Sequence, residues 1–192
     1  MPRQRSRAQA EGPVRVTFEL EPSDIERFHE ALERAARIVR DTEELDIVAA
    51  TKHALDNLPI GGAPGYVRKR MTGVHRLVLM LEDEAWALPQ PERDDVLRAL
   101  VYFSDPEDLV PDDFSVIGLL DDAIMLELLL RRQRHVIGAW ADFCAFRSAL
   151  DDAPDDSDGR IAHARLLGRK RDTLRLRMRR RAQKAEGADV AS

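Results

Sequence analysis

Apolar residues recur at intervals of three and four through most of this chain, the spacing of helices that bury one face. The clearest run lies between Tyr66 and Glu84, where Val67, Met71, Val74, Val78 and Leu81 are spaced four, three, four and three and predict a helix with a buried stripe. Upstream, Ser23-Asp-Ile-Glu26 has the form of a capping box. It opens a helix to about Arg40 with Ile25, Phe28, Leu32, Ala35 and Val39 inward. A second start at Asp41-Thr-Glu-Glu44 leads to a helix ending near Asn57-Leu-Pro59, with Leu45, Val48, Ala49, His53 and Leu55 inward. Pro89 and Pro91 precede a helix over about Glu92 to Ser104, and from about Val116 the pattern predicts one long helix to Leu150, with Ile117, Leu120, Ile124, Leu128, Val136, Trp140 and Phe143 inward. A basic helix over about Arg160 to Gln183 closes the pattern.

One segment has a different period. Val14, Val16, Phe18 and Leu20 alternate with Arg15, Thr17 and Glu19, as in a short half-buried strand or an extended segment laid along a helix. With no second strand legible, the expected fold is all-α: a bundle of five to six helices with a helix-loop-helix corner and this short N-terminal strand or extended segment. The expected organisation is a basic flexible arm at 1–13, a helical domain at 14–150, an acidic linker at 151–159, the basic helix at 160–184 and a flexible tail at 185–192.

Charge sharpens this division. The net −5 hides an acidic body, residues 11–159, with sixteen basic against thirty-two acidic groups, flanked by Arg3, Arg5 and Arg7 and by eleven basic groups in 160–184 opposed by Asp172. A lone cysteine, Cys144, excludes an internal disulfide and suits a cytosolic compartment, as a small buried thiol. The opening Met-Pro-Arg-Gln-Arg-Ser-Arg lacks the apolar run of a secretory signal. The longest stretch without a charged residue, Asn57 to Val67, is 11 residues broken by prolines and glycines, short of the roughly 18 needed to span a bilayer.

Chemistry concentrates between residues 102 and 123. In Tyr102-Phe-Ser-Asp-Pro-Glu-Asp-Leu-Val-Pro-Asp-Asp-Phe-Ser-Val-Ile-Gly-Leu-Leu-Asp-Asp-Ala123, six aspartates, two prolines and a glycine stand between two apolar helical segments. Pro106, Asp108, Leu109, Pro111, Asp112, Gly118, Asp121 and Asp122 match the pattern of the YkvA-like family, a bacterial domain of unknown function numbered 1232, and the sequence resembles that family over roughly residues 14–150. Supporting stretches are Val16-Thr-Phe-Glu-Leu with Ser23-Asp, Leu81-Glu-Asp-Glu-Ala-Trp-Ala-Leu-Pro89 and Asp142-Phe-Cys-Ala-Phe-Arg147. The resemblance implies no established activity. Other members carry longer apolar helices and are held to be membrane-associated, whereas Asp121, Asp122 and Glu127 interrupt the corresponding stretch here.

The motif admits three uses. Asp105-Pro106 with Asp108 fits an N-cap, a first-position proline and an acidic first turn, while Asp121 and Asp122 near Gly118 would face the positive end of the next helix, so the whole would be a stiff acidic corner. Alternatively Asp105, Asp108, Asp112, Asp121 and Asp122 are five carboxylates that a hairpin could converge on a hard divalent cation, Mg²⁺ first, for hydrolysis or phosphoryl transfer. Thirdly, Leu109, Phe114 and Leu119 could anchor a protein partner. Other signals are incomplete. Asp156-Ser-Asp158-Gly159 would place Pro154 and Arg165 at the first and twelfth positions of a calcium loop, Gly61-Gly-Ala-Pro-Gly65 lacks the ending of a phosphate loop, and the five histidines form no i, i+4 pair. No nucleophile elbow is present, so no catalytic residue is assigned.

The basic helix offers Arg169, Lys170, Arg171, Arg175, Arg177, Arg179, Arg180 and Arg181 for anion binding. With no aromatic residue after Phe146, contact with nucleic acid would be confined to the backbone. Ile161, Leu167, Leu174 and Met178 share one helical side, which fits either an anionic membrane surface, making the protein peripheral to a membrane, or packing of the helix on its own acidic body. The expectation is a cytoplasmic helical binding or adaptor module without a cofactor, acting on an unknown protein partner. A Mg²⁺-dependent protein and a binder of nucleic acid or membrane are the alternatives.

Overall fold

The computed structural model describes residues 19, 21–58, 65–104, 118–150 and 156–189, and in the last two stretches the side chains of 118–123, 125 and 185–189 are outside the description. The described residues form seven helices and no strand: α1 (Pro22–Asp41), α2 (Glu44–Asn57), α3 (Gly65–Glu82), α4 (Gln90–Ser104), α5 (Gly118–Arg132), α6 (Arg134–Ser148) and α7 (Ser157–Asp189). The protein is all-α. The alternating segment at 14–20 and the linker residues 151–155 lie outside the described residues.

Helix α3 is the hub, packed against α2, α4, α5 and α6. Its expected stripe is buried throughout and is widened by Leu77 and Met80, so the helix is covered on more than one side. Gly73 marks its closest approach to α5: a Cβ there would stand 2.5 Å from Leu130 Cδ1. Two ionic ties bracket this centre. Arg70 of α3 meets Glu127 of α5 at 2.6 Å, and Arg93 of α4 engages the Glu44 carboxylate of α2 while donating to the Leu81 carbonyl at 3.1 Å.

Helix α1 lies on α4. Its capping box lies two residues before the expected one: Glu21 rather than Ser23 is the N-cap, Pro22 takes the first turn, and the Glu21 N–H donates to Asp24 Oδ2 at 2.9 Å. Its inward face carries Phe28, Ala31 and Ala35, with Leu32 and Val39 half-buried. In α2 the expected face is displaced. Leu45 is 81% exposed and Ala49 and His53 are exposed, while Ile47, Val48 and Thr51 point inward. Val48 is buried and Leu55 half-buried against the core, as expected. Thr51 reads as polar, but its hydroxyl donates to the Ile47 carbonyl at 2.8 Å, which removes the cost of burying it.

The single helix expected from Val116 to Leu150 is two helices, which raises the expected five or six helices to seven. Gln133 separates them at φ −83°, ψ 1°, yet its N–H still donates to Leu129 O at 3.1 Å and its carbonyl accepts from Ile137 at 2.9 Å. These two bonds carry the chain across a joint at which the regular helical ladder is interrupted. Leu126 and Leu129 on one side of the joint and Val136, Ala139 and Phe143 on the other all remain buried.

Helix α7 starts at Ser157, where the Asp156 carboxylate accepts from the Gly159 N–H at 2.7 Å, and it continues to Asp189. It is longer than expected at both ends and packs along α6.

Candidate functional site

Of the motif, Pro106, Asp105, Asp108, Leu109, Pro111 and Asp112 lie outside the described residues, as does Phe114. Gly118 is the first residue of α5, and Asp121 and Asp122 follow within its first two turns, with side chains outside the description. Leu119 is on the same turn. The two helices that carry the motif, α4 and α5, both pack on α3. Among the described residues no group of three or more His, Cys, Asp or Glu side chains is arranged to hold a metal ion.

A polar centre that sequence periodicity does not mark is built at the turn between α3 and α4. Asp83, with a side chain 8% exposed, accepts from Trp140 Nε1 at 2.9 Å, from Arg147 Nη1 and Nη2 at 2.8 and 3.0 Å, and from the Trp86 backbone N–H at 3.1 Å. Burial pushes the Asp83 carboxyl up, but the hydrogen bonds from Arg147, Trp140 and Trp86 outweigh it and hold the group below its ordinary value. Asp83 in turn raises Arg147. The Cys144 thiol beside Arg147 is pushed up, chiefly by burial, which keeps it protonated and poorly nucleophilic.

The same turn is gripped from the other side by α7. Ala87 takes a left-handed φ of 43°, and the carbonyls of this turn are left for outside donors. Arg171 Nη1 donates to Ala85 O at 3.3 Å, and the Arg175 guanidinium donates to both Trp86 O and Ala87 O. Arg175 also lies over the Trp86 ring, 5.5 Å from its centroid. Trp86 itself is fully buried, tilted against Phe143 at 5.3 Å. One turn further along α7, Arg179 pairs with Glu92 at 2.8 and 3.3 Å. Arg171, Arg175 and Arg179, each four residues apart, are thus spent on the fold, and Leu174 and Met178 between them are 2% exposed. Lys170 sits over Phe146 at 4.7 Å.

The remaining basic residues of α7 are disposed differently. Arg169, Arg177, Arg180, Arg181 and Lys184 are exposed, and among the described residues no ion pair or hydrogen bond to a carboxylate engages them. The eight basic candidates therefore divide into an inner set that builds the protein and an outer set that faces water. Sequence alone does not draw that line: on the helical wheel Arg177 lies as close to the Leu174 and Met178 side as Arg175 does, and it is the fold that gives 171, 175 and 179 their partners.

These features define an all-α bundle closed by a long cationic helix. Residues 96–128 match the family model described as Protein of unknown function (DUF1232), so the stretch from the middle of α4 through the acidic segment to most of α5 is a DUF1232 domain. Comparison with curated proteins and with solved structures gave no match. Among the described residues no helix is long and apolar enough to cross a membrane.

Proposed function

We propose that this protein is a helical binding or adaptor module, of the YkvA-like type and working in the bacterial cytoplasm, whose chief contact surface is the outer cationic side of α7. The observation that carries this is the division of arginines along one helix. Arg171, Arg175 and Arg179 fasten α7 to the turn at 85–87 and to Glu92, so Arg177 and Arg180 between and beyond them are presented at fixed spacing. A positioned cation surrenders less side-chain and segmental freedom on binding than one on a loose tail. The acidic segment at 105–122 would then serve as the stiff corner joining α4 to α5, with Pro106 and Pro111 limiting its freedom.

The test is retention of the full chain on an immobilised polyanion such as heparin, compared with Arg177→Gln/Arg180→Gln. The double variant should elute at clearly lower salt with its melting temperature unchanged. Equal elution of the two proteins would refute the assignment to α7.

A further inference from the structure

The register of the α6–α7 hairpin brings the outer cations of α7 to a second basic element. The two helices run antiparallel, joined through residues 149–156, and Lys170 stands over Phe146. Moving eleven residues back along α6 and eleven forward along α7 sets His135 opposite Arg181. The same proximity is felt by His135, whose imidazole is pushed down by burial, by Arg134 and by Arg181. Arg134 Nε lies 3.2 Å from His135 Nε2. At about 1.5 Å per residue α7 is roughly 50 Å long and α6 roughly 22 Å, so α7 outruns α6 and passes the joint at Gln133, where α5 becomes α6, near Arg181.

That joint is itself cationic. Arg131 pairs with Glu127 at 2.8 Å, but Arg132 and Arg134 are exposed and make no ion pair among the described residues. Of the nearby acids, Glu92 pairs with Arg179, and Asp95 pairs with Arg98 at 2.9 Å while also lying in the field of Arg132. At about 0.1 M salt, fields fade over roughly 10 Å, so this local excess governs contact despite the acidic body.

We propose that Arg132 and Arg134 at the α5–α6 joint, with Arg177, Arg180, Arg181 and Lys184 of α7, form one surface that binds the phosphate backbone of a nucleic acid. This rests on the binding-module reading above and names its ligand. Arginine forks suit phosphate oxygens, and two helices offering cations side by side suit a chain of phosphates better than a single anion. A membrane fits less well. The apolar residues Leu174 and Met178 of α7 are buried in the bundle, whereas a helix lying in a bilayer interface needs its apolar side free. The exposed Ile161, Leu166 and Leu176 are three residues spread over sixteen positions of the helix and interspersed with cations. With no aromatic residue beyond Phe146, base stacking is unavailable and binding should be indifferent to sequence.

The experiment is fluorescence anisotropy of the full chain with labelled RNA and duplex DNA of mixed sequence, at several salt concentrations. The wild type should bind at low salt, with log affinity falling against log salt at a slope of about −4 to −5 if all six cations engage. Arg132→Gln/Arg134→Gln should reduce the slope by about 1.4 to 1.8, as should Arg177→Gln/Arg180→Gln, because each removes two phosphate contacts. All four positions are exposed, and unchanged melting temperatures would verify that folding is intact. Unaltered binding in Arg132→Gln/Arg134→Gln overturns the proposal while leaving the α7 reading in place. So does heparin retention without nucleic-acid binding, or flotation with phosphatidylglycerol vesicles in place of it. Loss of neither heparin nor nucleic-acid binding in Arg177→Gln/Arg180→Gln refutes both.

Discussion

The Arg147 guanidinium holds the Asp83 carboxylate through two hydrogen bonds, of 2.8 and 3.0 Å, across a sequence separation of 64 residues. The pair joins the end of α3 to the last turn of α6, and Trp140 donates to the same carboxylate from two turns earlier on α6. Replacing Asp83 by Ala would leave Arg147 and the Trp140 N–H without their acceptor. Removing one partner of a buried pair costs about 3–5 kcal/mol, but Arg147 is 38% exposed, so about 1–3 kcal/mol is expected in urea unfolding. A double-mutant cycle with Arg147→Gln should show coupling above about 0.5 kcal/mol; additive losses would mean that the contact carries little.

Asp83 also sets an acid dependence. Its carboxyl is held below the ordinary carboxylate value in the folded protein. The stabilisation it gives is complete above the unfolded value, about 3.9, and is lost as pH falls through the lower folded value. Wild-type stability should accordingly decline more steeply than that of Asp83→Asn below about pH 4. Parallel curves would show that other carboxylates control acid unfolding.

The inner and outer arginines of α7 should separate by stability. Arg175→Gln removes the donor to the Trp86 and Ala87 carbonyls and the contact with the Trp86 ring, a loss of about 1–2 kcal/mol. Arg177→Gln removes an exposed side chain and should fall within about 0.5 kcal/mol of wild type. Thermal melts of the two variants check this, and equal losses would contradict the division.

Gly73→Val should destabilise through overcrowding. Its Cβ would come to 2.5 Å from Leu130 Cδ1 and 3.3 Å from Leu130 Cγ, and valine adds two methyl groups at that point. The cost expected is about 1–3 kcal/mol. A companion Leu130→Ala substitution should recover part of it, and the absence of any recovery would place the strain elsewhere.

What the sequence displays and what it conceals differ by physical cause. The α3 stripe was legible because five apolar residues held one period without interruption, and each is buried. The α2 face was displaced because Leu45 competes with Ile47 in the pattern and because a self-satisfied Thr51 does not look like core. The joint at Gln133 was hidden for a stricter reason. It lacks proline or glycine, so no local sequence rule marks it. The packing of α7 on its own body was one of the alternatives weighed, and Leu174 and Met178 carried the signal. The Asp83 centre needs residues 83, 140 and 147 together, and only the fold brings them within reach. The DUF1232 stretch was legible from the fixed positions of its prolines, glycine and aspartates, which owe nothing to periodicity.

Both tryptophans of the chain attach to the turn at 83–89. Trp86 forms part of it, wholly shielded from water with Arg175 over its ring, and Trp140 donates to its first carboxylate. The protein therefore carries an internal optical gauge at the place where α3, α6 and α7 meet. Any ligand that loosens α7 would redden and dim the native emission, and one that seats on α7 without displacing it would leave the spectrum untouched, so the mode of engagement can be read without adding a label.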